Sequence, residues 1–156
     1  MAIYIGEADS TLDDKNRLTI PKKFRQKFPK EVGESGEVVV EVLLMPGYGN
    51  CNFIIMDSDN GLDLAKKISL EGGIGIGKGA KRKTLLEFSE NVEVDKQGRI
   101  LIPQTFLDRR GVKSKEVKVT GSGSHLSVYV PEAWEKELSK GEIDSLWDEE
   151  APATVE

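Results

Sequence analysis

Apolar positions along this chain gather into short blocks rich in β-branched residues, separated by charged and glycine-containing turns. In the first half "GEVVVEVLLM" precedes "CNFIIMD", and in the second "KEVKVTG" precedes "HLSVYVP", so each half holds two strand-like runs. A helix-like stretch closes each half, "DNGLDLAKKISL" and then "PEAWEKELSK". Ahead of these lie two shorter strand-like blocks, Leu18-Thr19-Ile20 and Ile100-Leu101-Ile102, stopped by Pro21 and Pro103. The prolines suit a first helical position, where a missing N–H costs nothing. Phe24 and Phe28 then share a face of a short helix that Pro29 ends, and Gly111 supplies the corresponding stop in the second half.

The order of blocks repeats, and so do the residues. Residues 11–25 align without gaps on 93–107, pairing Asp13 with Asp95, Arg17 with Arg99, Ile20 with Ile102, Pro21 with Pro103 and Phe24 with Phe106. Unrelated sequence would give roughly one such identity, so D-x3-R-x2-I-P-x2-F marks an internal duplication. Asn16 and Gly98 stand at matching positions and are the residue types that accept positive φ most readily. Lys15-Asn16 and Gln97-Gly98 therefore read as two-residue hairpin tips. Asp13 and Arg17 fall near the hairpin mouth, where the carboxylate can accept backbone N–H groups and hold the guanidinium.

Charge is unevenly spread. The chain of 156 residues carries a net charge of −5, which argues against a nucleic-acid partner when taken as a sum. Yet residues 13–30 hold seven bases and two acids, whereas residues 131–156 hold nine acids and two bases. The bases Lys15, Arg17, Lys22, Lys23 and Arg25 thus cluster on and behind the first tip. Lys and Arg on hairpin tips can reach phosphates and groove edges. A solvated salt bridge at a turn is the competing account of Asp-x3-Arg.

At these residues the chain resembles the MraZ family, bacterial proteins built from two SpoVT/AbrB-like units. The likeness rests on "TLDDKNRLTIPKKFR", on "LLEFSENVEVDKQGRILIP" and on the closing "VYVPEAWE", and it spans roughly residues 3–140. The resemblance implies a mixed, β-rich α+β fold, with two tandem swapped-hairpin units forming a double-split β-barrel with short helices. The units fall at 1–70 and 88–141, joined by a glycine-rich basic connector at 71–87 and followed by an acidic, disordered tail at 142–156. It further implies a sequence-specific transcriptional regulator, usually a repressor, that binds repeated boxes in double-stranded DNA upstream of the division and cell-wall gene cluster. Its copies assemble into a ring in the cytoplasm, on the nucleoid. Carried over by position, the DNA-contacting bases are Lys15, Arg17 and Arg99, reinforced by Lys22, Lys23 and Arg25. Asp13, Asn16, Pro21, Asp95, Gly98 and Pro103 form the structural frame. Gln97 replaces Lys15 in the second copy, which suggests a less basic tip. Two copies fused in one chain, each of a size that is marginal alone and with short strands that leave open edges, also favour a homo-oligomer.

Other chemistry is thinly represented. Gly72 to Lys78 satisfies G-x4-G-K, but Gly79 replaces the magnesium-binding Ser or Thr, and a helix rather than a buried strand precedes it. Lys78, Lys81, Arg82 and Lys83 make the connector basic enough to touch phosphate nonspecifically. His125 is the only histidine and Cys51 the only cysteine, with no metal-ligand spacing around either. The lone thiol fits a reducing cytosol. Trp134 reads as a core contact from the closing helix, and Trp147 as part of the acidic end. No enzyme activity, cofactor, metal, small-molecule substrate, secretory signal or membrane span is expected. The class left beside a DNA-binding regulator is a structural oligomer or protein-interaction module.

Overall fold

The computed structural model describes residues 1–72, 78–140 and 146. The glycine-rich segment 73–77 and the end of the chain from 141, Leu146 apart, lie outside the described residues. With them lie the middle of the phosphate-loop-like spacing, the acidic tail and Trp147.

The first half runs β1 (Tyr4–Thr11), β2 (Arg17–Thr19), α1 (Lys22–Arg25), β3 (Glu31–Val32), β4 (Val38–Val39), β5 (Glu41–Pro46), β6 (Phe53–Asp57) and α2 (Ser58–Gly72). The second runs α3 (Lys78–Glu87), β7 (Glu90–Glu93), β8 (Arg99–Leu101), α4 (Gln104–Arg109), β9 (Glu116–Gly123), β10 (Leu126–Tyr129) and α5 (Pro131–Leu138). The apolar run from Val38 is two strands rather than one. At Val40 the chain leaves the β3–β4 ladder, and its carbonyl accepts the N–H of Val94 at 2.8 Å.

Six strands form one sheet in the order β1-β9-β10-β6-β5-β7, each neighbouring pair antiparallel. The order maps onto itself when the halves are exchanged, β1 taking the place of β7, β9 of β5 and β10 of β6. Each half's opening strand thus lies against the other half's later strand. The bond from Leu12 N–H to the Lys115 carbonyl, 2.7 Å, mirrors the Val94–Val40 bond across this approximate dyad. β2 and β8 pair separately, as do β3 and β4. Among the described residues the large sheet is open, with β1 and β7 as edges, and no strand ladder closes into a barrel.

Burial explains the interleaving. Leu18, Ile20 and Phe24 from the first copy and Ile100, Ile102 and Phe106 from the second share one core. Each such side chain gains roughly 1.5–3 kcal/mol on full burial, and a half of this length offers too little of its own surface to cover them. Gly121 marks how closely the halves approach: a Cβ there would stand 2.3 Å from the backbone of Tyr4 and Ile5. Beside it, the Tyr4 hydroxyl donates to Asp57 at 2.5 Å, and Asn60 donates its N–H to the same carboxylate at 2.8 Å. The Asn60 amide also reaches the carbonyls of Ala2 and Ser124. Burial, then the bond to Asp57, push the Tyr4 phenol far above its ordinary range.

The stretch expected as a glycine-rich connector is helical over Lys78–Glu87. Arg82 pairs with Glu71 of α2 at 2.6 Å, while Leu86 and Leu64 pack on a second core cluster around Met45, Cys51, Ile54, Met56 and Tyr129. Trp134 joins that cluster edge-on to Tyr129, with ring centroids 5.1 Å apart. No described helix is long and apolar enough to cross a membrane.

Candidate nucleic-acid interface

The two tips are built alike. Asn16 N–H bonds the Asp13 carbonyl at 3.0 Å and Asp13 N–H bonds the Arg17 carbonyl at 3.0 Å; in the second copy Gly98 and Asp95 repeat these bonds at 3.0 and 2.8 Å. Each loop therefore has three residues rather than the two expected, so Asp14 and Lys96 belong to the tips. The third loop residue takes positive φ, 62° at Asn16 and 81° at Gly98, as three-residue hairpin loops require.

The aspartates organise both loops. Asp13 Oδ1 accepts the N–H groups of Lys15 and Arg17, each at 2.9 Å, and Oδ2 accepts Arg17 Nε at 2.6 Å. Asp95 does the same for Gln97 and Arg99, with Nε at 3.0 Å. The Arg17 N–H first, then its guanidinium and the Lys15 N–H, overcome a smaller desolvation and hold the Asp13 carboxyl down at about 2. At Asp95 desolvation pushes upward, but the Arg99 N–H, the Arg99 guanidinium and the Gln97 N–H together leave the carboxyl below its usual value. In each case Nε is committed to the carboxylate. The terminal guanidinium nitrogens of Arg17 and Arg99 have no other bond among the described residues.

Strand pairing brings the arginines together. Leu18 opposes Ile100, with Arg17 opposite Leu101 and Thr19 opposite Arg99. Leu18 and Ile100 are fully buried, so the alternation of the pleat sends Arg17, Thr19, Arg99 and Leu101 to the other, outward face. Arg17 and Arg99 are diagonal neighbours there, roughly 7–8 Å apart at the backbone.

Pro21 and Pro103 stand one residue earlier than expected, as N-caps in extended conformation with φ near −54° and −58°. Just before them, Ile20 N–H bonds the Gly98 carbonyl at 2.8 Å and Ile102 N–H bonds the Asn16 carbonyl at 2.9 Å. The segment that follows one tip is thereby laid against the other tip.

This crossing relocates the bases that the sequence placed behind the first tip. Arg25 donates to the Ile20 carbonyl at 2.7 Å, and its guanidinium covers Gly98 of the second tip. Lys23 donates to the Glu7 carbonyl at 2.6 Å, so its charge is tied to β1. Lys15 and Lys22 are exposed, and no described ion pair holds either. Nor is the second tip the less basic one. Lys96 stands where the first tip has Asp14, and Asp14 is itself paired with Lys115. The alignment that pairs Gln97 with Lys15 also pairs Lys96 with Asp14, and that neighbouring exchange is the sequence signal for the second tip's charge.

Elsewhere the reactive groups are quiet. Burial raises the Cys51 thiol, whose sulfur accepts the Tyr48 N–H at 3.4 Å. His125 lies between the Tyr48 hydroxyl and Ser124 Oγ, both at 3.0 Å, and burial lowers its pKa. Among the described residues no cluster of His, Cys, Asp and Glu is arranged to hold a metal.

Comparison with known proteins bears on this pattern. A family model described as "MraZ protein, putative antitoxin-like" matches residues 86–154. A transcriptional regulator MraZ of Clostridium tetani is 31% identical over 146 residues, covering 91% of this chain and 91% of the relative. Another from Dictyoglomus thermophilum is 33% identical over 138 residues, covering 86% and 84%. A third, from Chlorobium luteolum, is 29% identical over 140 residues, covering 84% and 86%. With identity above 30% over most of both chains, the chain belongs to the MraZ family.

Proposed function

We propose that this chain is a transcriptional regulator that binds double-stranded DNA in a sequence-specific way through the face carrying Arg17 and Arg99. The observation that carries the reading is the pair of like-built tips side by side on the β2–β8 ladder, each presenting an arginine oriented by its own aspartate. Held by Nε alone, a guanidinium keeps its outer nitrogens for phosphate or for the O6 and N7 of guanine. Lys15 adds an unpaired charge at the edge of this face. The name transcriptional regulator borne by the relatives supports the same reading.

In this reading residues 1–70 and 88–141 are two SpoVT/AbrB-like units that exchange their opening hairpins, with the connector and the acidic tail outside them. The open edges β1 and β7 are covered by other copies in a ring. A ring multiplies weak contacts, so repeated DNA boxes are held tightly despite few contacts per subunit. The target is a set of such boxes upstream of the division and cell-wall gene cluster, and the outcome is repression.

The test is binding of the full chain to a duplex from its gene's own upstream region across a salt series. Wild type should bind with a steep negative salt slope, and Arg17→Ala and Arg99→Ala should each weaken binding while sedimenting as wild type does. Equal binding by wild type and Arg17→Ala, or binding indifferent to salt, would overturn the proposal. Loss of assembly in Arg17→Ala would instead favour a structural role for the Asp–Arg pair.

A further inference from the structure

The crossing of the two copies builds a feature that neither copy has alone. Between α1 with its following turn and the second tip lies an open pocket of about 290 Å³, lined by Lys22, Arg25 and Lys30 from one side and Asp95, Lys96 and Gly98 from the other. Four of these residues are cationic and one is acidic. The acid, Asp95, is already held by Arg99 through both backbone and side chain. Lys22, Lys30 and Lys96 are exposed, and none has an ion-pair partner among the described residues.

The dyad-related place at the first tip is chemically different. Gln104, Leu107 and Asp14 stand there in place of Lys22, Arg25 and Lys96. Gln104 is spent on Asn16 and Asp108, each at 2.8 Å, and Asp14 on Lys115. Three changes within a fifteen-residue repeat have therefore all moved charge in one direction at one place. Arg25 shows that the second place is built: its guanidinium is anchored to the Ile20 carbonyl and seated on Gly98, where an Asn such as the one at the first tip would collide with it.

We infer that this pocket binds a phosphate group, and that its source is the DNA backbone alongside the second tip. The inference rests on the DNA-binding reading above and extends it to a further phosphate. Arg25 is the pre-oriented donor, and Lys22, Lys30 and Lys96 supply point charges that focus potential into the recess. The volume lies at the bottom of the small-molecule range, ample for a phosphate with its water.

The test compares wild type, Lys22→Ala/Lys30→Ala/Lys96→Ala, the matching triple Lys→Arg variant, and Lys66→Ala/Lys67→Ala on α2 as a charge control. In the duplex salt series the triple alanine variant should bind at least about tenfold more weakly, with a slope smaller by about 0.9 for each phosphate it no longer neutralises. The Lys→Arg variant should bind as wild type, and the α2 control should keep the wild-type slope. In a second arm, inorganic phosphate is titrated into wild type and the triple alanine variant, following backbone amides of residues 22–30 and 95–99 by NMR. Millimolar shifts that vanish in the triple variant, together with unchanged DNA binding, would confirm a phosphate site but overturn DNA as its source. No loss of DNA binding and no phosphate-dependent shift would overturn the inference altogether. Failure of wild type to bind any duplex would strike the proposed function, and the titration would still decide the pocket.

Discussion

The guanidinium of Arg25 occupies the space that a Cβ on Gly98 would need, with Cζ and Nη1 at 2.5 Å and Nε at 2.6 Å from that position. Gly98 is therefore glycine for more than its φ of 81°, since Asn16 adopts a φ of 62° at the matching tip. Gly98→Asn should expel the flexible end of Arg25 and break its bond to the Ile20 carbonyl, costing about 1 kcal/mol. In an Arg25→Ala background the same change should cost less than about 0.5 kcal/mol, so the two substitutions couple in a double-mutant cycle of denaturation midpoints. Additive costs would show that Gly98 answers to backbone conformation alone.

Gly121 is the opposite case, because what a Cβ would strike is backbone. Tyr4 and Ile5 would lie 2.3 Å away, and they can retreat only by parting β1 from β9. Gly121→Ala should cost about 3 kcal/mol or more, or leave the chain unfolded. Gly61→Ala on α2, where the nearest contact would be Leu43 at 3.4 Å, should be neutral or slightly stabilising through helix propensity. Thermal melts of the two variants measure the difference directly.

What could be read ahead of the structure followed from local chemistry. β6 is buried at every position and β10 likewise, and both stand out as mostly apolar runs, interrupted only by the buried Asp57 and Ser127. The Asp-x3-Arg tips are legible because side-chain and backbone partners lie within four residues. β1 is not, since only Tyr4 in it is buried, and its pairing with β9 joins residues more than a hundred positions apart. The same non-locality misplaces the charge. Lys22 and Arg25 follow the first tip in sequence, but the bond from Ile20 to Gly98 lays them at the second.

Acid should loosen the tips only at low pH, because their carboxylates take up protons after ordinary carboxylates do. The folded Asp13 carboxyl sits at about 2, below an unfolded value near 4, and Asp95 is lowered as well. A depressed carboxylate contributes stability that is complete above the unfolded value and lost as pH falls through the folded one. Wild-type denaturation midpoints should therefore drop between about pH 4 and pH 2, and Asp13→Asn/Asp95→Asn should flatten that part of the profile. An unchanged slope in the double variant would assign the acid transition to other carboxylates.

The Tyr4–Asp57 bond ties the start of the chain to the junction of β6 and α2. Asp57 is 1% exposed, so Tyr4→Phe leaves one of its oxygens short of a donor that water cannot replace. A loss of about 1–3 kcal/mol is expected, measured by urea denaturation. Hydrogen exchange should show the loss spreading into β1 and the β9–β10 turn, because Asn60 links the same carboxylate to Ala2 and Ser124. Protection lost only at Tyr4 would mean that Asn60 alone holds the junction.

The tips differ at two exposed positions, Asp14 against Lys96 and Lys15 against Gln97, and the second exchange can be tested by itself. If both tips face the duplex, their charges are interchangeable, since Arg17 and Arg99 share one face of the β2–β8 ladder. Lys15→Gln should reduce the salt slope of DNA binding by about 0.9, and Gln97→Lys should raise it by about as much. The double exchange, which carries the lysine from the first tip to the second, should restore the wild-type slope and most of the affinity. A double variant that stays as weak as Lys15→Gln would mean that only the first tip meets the backbone there. Arg99 would then act by holding its own loop rather than by touching DNA.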